Sequence, residues 1–447
     1  MTKSPLLPAV SFALALIAAP AGAADLLQVY RDALDYDAQF ASARSAWEAG
    51  QEKLPQARAG LLPVIGAAAS TTWNDVDFQR RTPGAAVTDA KYNSNGYQIS
   101  LTQPIFRWQN IEQYRQGKLA VAVVDAQFVQ AKQDLVLRVA QAYFDVLLAQ
   151  DSLDLAQAQK KAIGEQLEAA RRNFEVGTAT ITDTHEAQAR FDLVTAQELA
   201  VQNDLEIRRH ALRQIIGKTP EVLARLRVQV QLQRPLPDDM TKWVDAAEAG
   251  SPLVQAQEAA LEIAEREIGK QRAGHYPTLD LVATRGRSSA TGSLNVGIAG
   301  PGFDSHATTV GVQLSLPIFA GGAVLSRERE AVALREKARA DLDNTRRGAA
   351  LGARQAYLGV TSGMAQVKAF EQALVSSESA LESNKLGYEV GVRINIDVLN
   401  AQQQVFATRR DLARARYETL IAQLRLKAAA GSLGEEDVQA VNALLEK

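Results

Sequence analysis

Cysteine is absent from all 447 residues, and that absence removes several classes of protein at once. There is no disulfide scaffold, no thiol nucleophile and no thiol to carry a lipid anchor at a processed N-terminus. Histidine is nearly as scarce: His185, His210, His275 and His306 are scattered without metal-ligand spacing. Neither sign of charge is in excess. The formal net charge is −2, which gives nucleic acid no electrostatic footing. No Gly-x-Ser-x-Gly occurs. The single echo of a phosphate loop, Gly217-Lys218-Thr219, has Leu212 where the first glycine is required, and it closes a helix where such a loop opens one. These absences predict a chain that is not an enzyme and needs no cofactor or metal.

Long apolar runs are also missing after the first residues. Lys3 precedes an apolar stretch from Leu6 to Ala19, which ends in Ala21-Gly22-Ala23. That pattern predicts a secretory signal peptide over residues 1–23, with Ala24 as the first mature residue. No later stretch approaches the ~20 consecutive apolar residues of a membrane-spanning helix.

The chain is written twice. Arg58-Ala59-Gly60 returns as Arg272-Ala273-Gly274, and Gln103-Pro104-Ile105-Phe106 as Leu316-Pro317-Ile318-Phe319. Gln141-Ala142-Tyr143-Phe144 returns as Gln355-Ala356-Tyr357-Leu358, and Phe174-Glu175-Val176-Gly177 as Tyr388-Glu389-Val390-Gly391. The near-constant offset makes residues 24–231 and 238–447 two copies of one order of parts: a short helix, two alternating segments around a loop, and a long helical hairpin.

Apolar residues recur with 4-3 spacing at Leu135, Val139, Ala142, Val146, Ala149, Leu153 and Ala156, and again at Ile163, Leu167, Ala170 and Phe174. Copy two repeats the stripe from Ala349 through Val360, Val367 and Leu374 to Tyr388. A sustained 3.5-residue period calls for supercoiled helices packed knobs-into-holes. Gly177 and Gly391 end the stripes, and the period resumes near Asp183 and Asp397. The expectation is two antiparallel hairpins, about 110–217 and 324–430, each turning at a glycine cap.

Four segments alternate instead with period two. They are about 62–78, 92–106, 277–287 and 307–319, clearest where Val310, Val312 and Leu314 alternate with Gly311, Gln313 and Ser315. This pattern predicts strands. A half-buried sheet of a soluble domain fits the alternation as well as a membrane β-barrel does. In lipid, four strands leave unpaired edges and enclose nothing, so a spanning sheet requires several copies of the chain.

The mature chain resembles the TolC family of trimeric outer-membrane exit ducts. The resemblance rests on the order, across both copies, of Asp25-Leu26-Leu27-Gln28-Val29-Tyr30, Leu101-Thr102-Gln103-Pro104-Ile105-Phe106, Gln141 to Leu147, Ile181-Thr182-Asp183, Pro277 to Leu281 and Gly387-Tyr388. It implies a trimeric transmembrane β-barrel with four strands per chain, continuous with a long antiparallel coiled-coil α-barrel and an equatorial α/β domain. It also implies type I protein secretion, multidrug efflux or both. The implied partners are two further copies of the chain, a periplasmic adaptor (membrane fusion) protein, an inner-membrane ABC, RND or MFS pump, and outer-membrane lipid.

Site residues follow from the resemblance. Thr182, Asp183, Tyr388 and Arg393 match a polar latch that holds the periplasmic end shut; the alternative is that they only cap and pin the hairpin turns. Asp397 and Asn400 match two lumen-facing positions that are both acidic in the family, which implies one carboxylate ring here and weaker cation block. Asp397 also reads as an ordinary acid near a helix N-terminus. Val176, Gly177 and Thr178, with Val390, Gly391 and Val392, match the adaptor contact at the tips, or simply suit tight turns. The competing function is a periplasmic coiled-coil scaffold or adaptor that never enters lipid.

Overall fold

The computed structural model describes residues 23–446, apart from 220–221, 228–229 and 296–297. The predicted signal peptide lies almost wholly outside the described residues. Three short helices, α1 (Leu26–Tyr36), α2 (Ala38–Gln51) and α3 (Lys53–Ala59), lead into β1 (Val64–Gln79) and β2 (Val87–Phe106). Then come α4 (Trp108–Glu175) and α5 (Ile181–Ile216). The second copy follows as α6 (Met240–Gly250), α7 (Pro252–Arg272), β3 (Thr278–Asn295), β4 (Ile298–Ser315), α8 (Ala323–Glu389) and α9 (Asn395–Ala429). A last helix, α10 (Glu435–Asn442), closes the chain. At ~1.5 Å per residue, the 68-residue α4 and 67-residue α8 are rods of about 100 Å.

The strands form one antiparallel sheet in the order β1-β2-β3-β4, so β1 and β4 are its open edges. Three strands depart from the alternating segments. β2 begins at Val87 and β3 runs on to Asn295, while β4 begins at Ile298 and stops at Ser315, short of Phe319. Backbone pairing continues where alternation fades, because side chains beyond an apolar band have no reason to alternate. Pro317, which has no N–H and restricts the residue before it, lies just beyond the end of β4.

Directly opposite residues of a ladder share a face. One face carries Ile65, Leu101, Val310, Val312 and Leu314, with Val310 at 70% and Leu314 at 67% exposure. The other carries small and polar residues such as Gly66, Ser100, Thr309 and Gln313. The sheet is tied to the rods by Arg107, whose Nε and Nη2 donate to the two oxygens of buried Asp280 at 2.7 and 2.6 Å. This bidentate pair spans the start of α4 and β3, and it carries no periodic signal in the sequence.

The principal core lies halfway along the rods. Tyr143, Phe144, Leu135 and Leu147 of α4 pack with Leu26 and Val29 of α1, Leu212 and Ile216 of α5, and Leu420 and Leu424 of α9. Short bridges Ala24–Leu223 and Leu226–Leu445 add strand-like pairing, which makes this belt α/β. Tyr143 donates its hydroxyl to the Ala224 carbonyl at 2.7 Å, and Tyr417 donates to Asp151 at 2.6 Å. Burial raises the pKa of all three groups, Tyr143, Tyr417 and Asp151.

Candidate gate and docking site at the hairpin tips

The two hairpins turn in the same way. At the first tip the Gly177 N–H bonds the Phe174 carbonyl at 3.0 Å, and the Thr178 N–H bonds the Asn173 carbonyl at 2.8 Å. At the second, Gly391 bonds Tyr388 at 3.1 Å and Val392 bonds Gly387 at 2.8 Å. Both are Schellman caps, which require a left-handed residue; φ is +78° at Gly177 and +77° at Gly391. A Cβ at either glycine would meet nothing within 4 Å. The turns therefore need glycine for its backbone, while the space around them stays open.

The returning helices differ in their caps. Thr180 caps α5 in a reciprocal box: its hydroxyl accepts from the Asp183 N–H at 3.3 Å, and the Asp183 carboxylate accepts from the Thr180 N–H at 2.9 Å. At the matching position α9 begins after Ile394, which has no side-chain cap. Asp397 instead lies 3.5 Å from Arg393.

The four latch positions do not converge within one chain. Asp183 is engaged by Thr180, Arg393 faces Asp397, and Tyr388 accepts from the Asn173 amide at 3.4 Å. Thr182 is exposed at the first turn of α5. Asp397 is partly buried and Asn400 exposed, three residues on along α9. The Asn400 amide oxygen accepts from Arg190 of α5 at 2.9 Å, and a second Arg190 nitrogen reaches Gln403 at 2.9 Å. Val176, Val390 and Val392 are 73%, 65% and 78% exposed, so apolar surface crowns both tips. Thr178 folds back, its hydroxyl donating to the Asn173 carbonyl at 3.1 Å.

Asn395 joins the two hairpins. It is fully buried, accepts from the Gln166 amide of α4, and donates to the Asp183 carbonyl of α5 at 3.4 Å. Beneath it Leu399 packs with Ile163, Leu167, Ala170, Ala187 and Val194. Periodicity does not single out Asn395. The repeat offers one signal: Ile181 occupies the same register position in the first copy, so a polar residue replaces an apolar one. Arg190 and Gln166 show no comparable mark.

The chain matches the family model described as outer membrane efflux protein twice, over residues 29–218 and 243–432, one match in each copy. It is 36% identical to the alkaline protease secretion protein AprF of Pseudomonas aeruginosa over 96% of this chain and 89% of that protein. It is 33% identical to the outer membrane protein TolC of Escherichia coli, over 95% and 86% of the respective chains. Among solved structures, the outer membrane protein VceC of Vibrio cholerae superposes with a TM-score of 0.76 at 20% identity, covering 91% of this chain and 96% of that one. The CmeC outer membrane channel of Campylobacter jejuni gives 0.77 at 17% identity, over 94% and 90%. Both structures share the fold.

Proposed function

The chain belongs to the outer membrane efflux protein family, and we propose that three copies of it close one continuous duct through the outer membrane and the periplasm. It is an exit duct of the Gram-negative outer membrane. The observation that carries the assembly is the open four-stranded sheet, whose β1 and β4 edges have no strand partner among the described residues. In hydrocarbon each unpaired backbone group costs several kcal/mol. Closure with other copies removes that cost. Two copies supply about eight strands and a filled interior, whereas three supply about twelve and a water-filled lumen lined by the small, polar face. A scaffold confined to the periplasm would leave the apolar face of the same sheet in water.

The rods then form the periplasmic conduit, and the tips its gate. Thr182 and Asp183 of one copy, facing Tyr388 and Arg393 of the next, form the latch; three such links yield to a docking adaptor. The apolar crowns at Val176-Gly177-Thr178 and Val390-Gly391-Val392 meet the adaptor. An inner-membrane ABC, RND or MFS pump supplies the energy. The relatives named for protease secretion, AprF and PrtF of Dickeya chrysanthemi, favour type I protein export as the duty of this duct.

Asp397 gives a ring of three carboxylates near the closed end, each partly offset by Arg393 at 3.5 Å. Planar-bilayer recording of the purified protein is expected to give trimer-dependent conductance that multivalent cations block and that Asp397→Ala leaves open. A monomer without conductance contradicts the duct. Undiminished block in the variant removes Asp397 from the lumen.

A further inference from the structure

The lipid-facing side of the sheet changes character abruptly along β3. Across the ladder Ile65, Leu101, Ala283 and Val310 form one apolar row. Two rows higher, the same face carries Ala69, Tyr97, Arg287 and His306. Arg285 lies in the row between them, opposite Ile99 and Thr308. Tyr97, Ile99, Arg285, Arg287 and His306 are all exposed.

Their height is set by the strand. Arg285 and Arg287 lie nine and eleven residues beyond Tyr276, which with Ile318 and Phe319 marks the periplasmic end of the apolar surface. At ~3.3 Å per residue and a tilt of ~40°, that distance is about 25 Å, the height of an outer-membrane apolar band. The two guanidinium groups therefore sit where outer-leaflet headgroups begin. Polar Thr71, Asn95 and Ser289 form the next row, and Trp73, 79% exposed, lies above them.

We propose that the outer face of β3, at Arg285 and Arg287 with Tyr97 and His306 beside them, binds a phosphate group of the anionic glycolipid of the outer leaflet. A guanidinium fork matches phosphate oxygens in two parallel bonds. Asp304 moderates the site, because its carboxylate accepts from Arg287 at 2.8 Å. The other acids of this face, Asp75, Asp77 and Asp89, stand higher on β1 and β2, where Asp75 pairs with Lys91 at 3.0 Å. The site rests on the barrel reading above.

The test uses the purified full-length trimer with rough-type lipopolysaccharide, the same lipid dephosphorylated, and phosphatidylcholine, read by native mass spectrometry and titration. Wild type is expected to retain the phosphorylated glycolipid selectively. R285Q/R287Q should lower its affinity about tenfold or more, R285K/R287K should keep most of it, and Asp304→Asn should raise it. Equal retention of the dephosphorylated lipid by wild type overturns the site, as does displacement by inorganic phosphate alone. So does unchanged affinity in R285Q/R287Q. Heat-modifiable migration separates the two claims: absence of a wild-type trimer speaks against the barrel, whereas an intact trimer indifferent to lipid phosphate speaks against this site alone.

Discussion

Asp151 is held between two opposed influences. Desolvation raises its carboxyl above the ordinary aspartate value of 3.8, while the Tyr417 hydroxyl and Arg225 favour the charged form and only partly offset it. A folded-state pKa above the unfolded one means that the folded chain binds the proton more tightly. Stability from this group therefore falls as pH rises from 3.8 through the raised value, and the penalty is complete above it. Asp151→Asn keeps an oxygen for Tyr417 and removes the charge. The variant is expected to gain in thermal midpoint relative to wild type as pH rises through that window, after which the difference stays constant. A difference that is independent of pH across pH-stepped melts contradicts this account.

At the scale of elements, the hairpins are joined to each other at their tips as well as at the belt. Asn395 does this with two bonds from a position of zero exposure. Leucine there keeps the bulk but leaves the Gln166 amide without its acceptor and removes the second bond to the Asp183 carbonyl, a loss of about 1–3 kcal/mol. That loss falls on the joint between hairpins, far from the belt core. Asn395→Leu is therefore expected to raise hydrogen exchange at both tips and the resting leak of the closed duct, with belt exchange unchanged. Equal exchange at both tips in variant and wild type would remove the joint from the gate.

At the scale of the whole molecule, the two copies of the repeat are buried unequally. α4 and α8 are nearly equal in length, yet α4 buries eighteen residues and α8 only seven. Leu351, Leu358 and Val375 of α8 are each more than half exposed, and in the proposed trimer this flank is where a neighbouring copy would pack. The tips lie beyond this flank. Gly177→Leu with Gly391→Leu forces an L-residue into a left-handed cap at about 1–2 kcal/mol per site, with no steric clash. Heat-modifiable trimers should persist while export to the medium falls. Loss of the trimers themselves would give the glycines a role in folding only.

Local rules carried much of this architecture directly in the sequence. The 3.5-residue period, the alternation, the two glycine caps and the duplication each depend on residues a few positions apart or on a fixed register, so they determined rods, strands and turns. Pairings between distant residues left no such trace. Arg107 meets Asp280, Gln166 meets Asn395, and Arg190 meets Asn400 across separations of 173, 229 and 210 positions. The full reach of the strands was hidden as well, because ladder bonds persist where side chains stop alternating. Which stretch of each rod is buried, and which sheet edges stay open, was decided by the tertiary structure. Burial depends on what packs alongside a helix, and a heptad reads the same whether its neighbour is a belt, another copy or water.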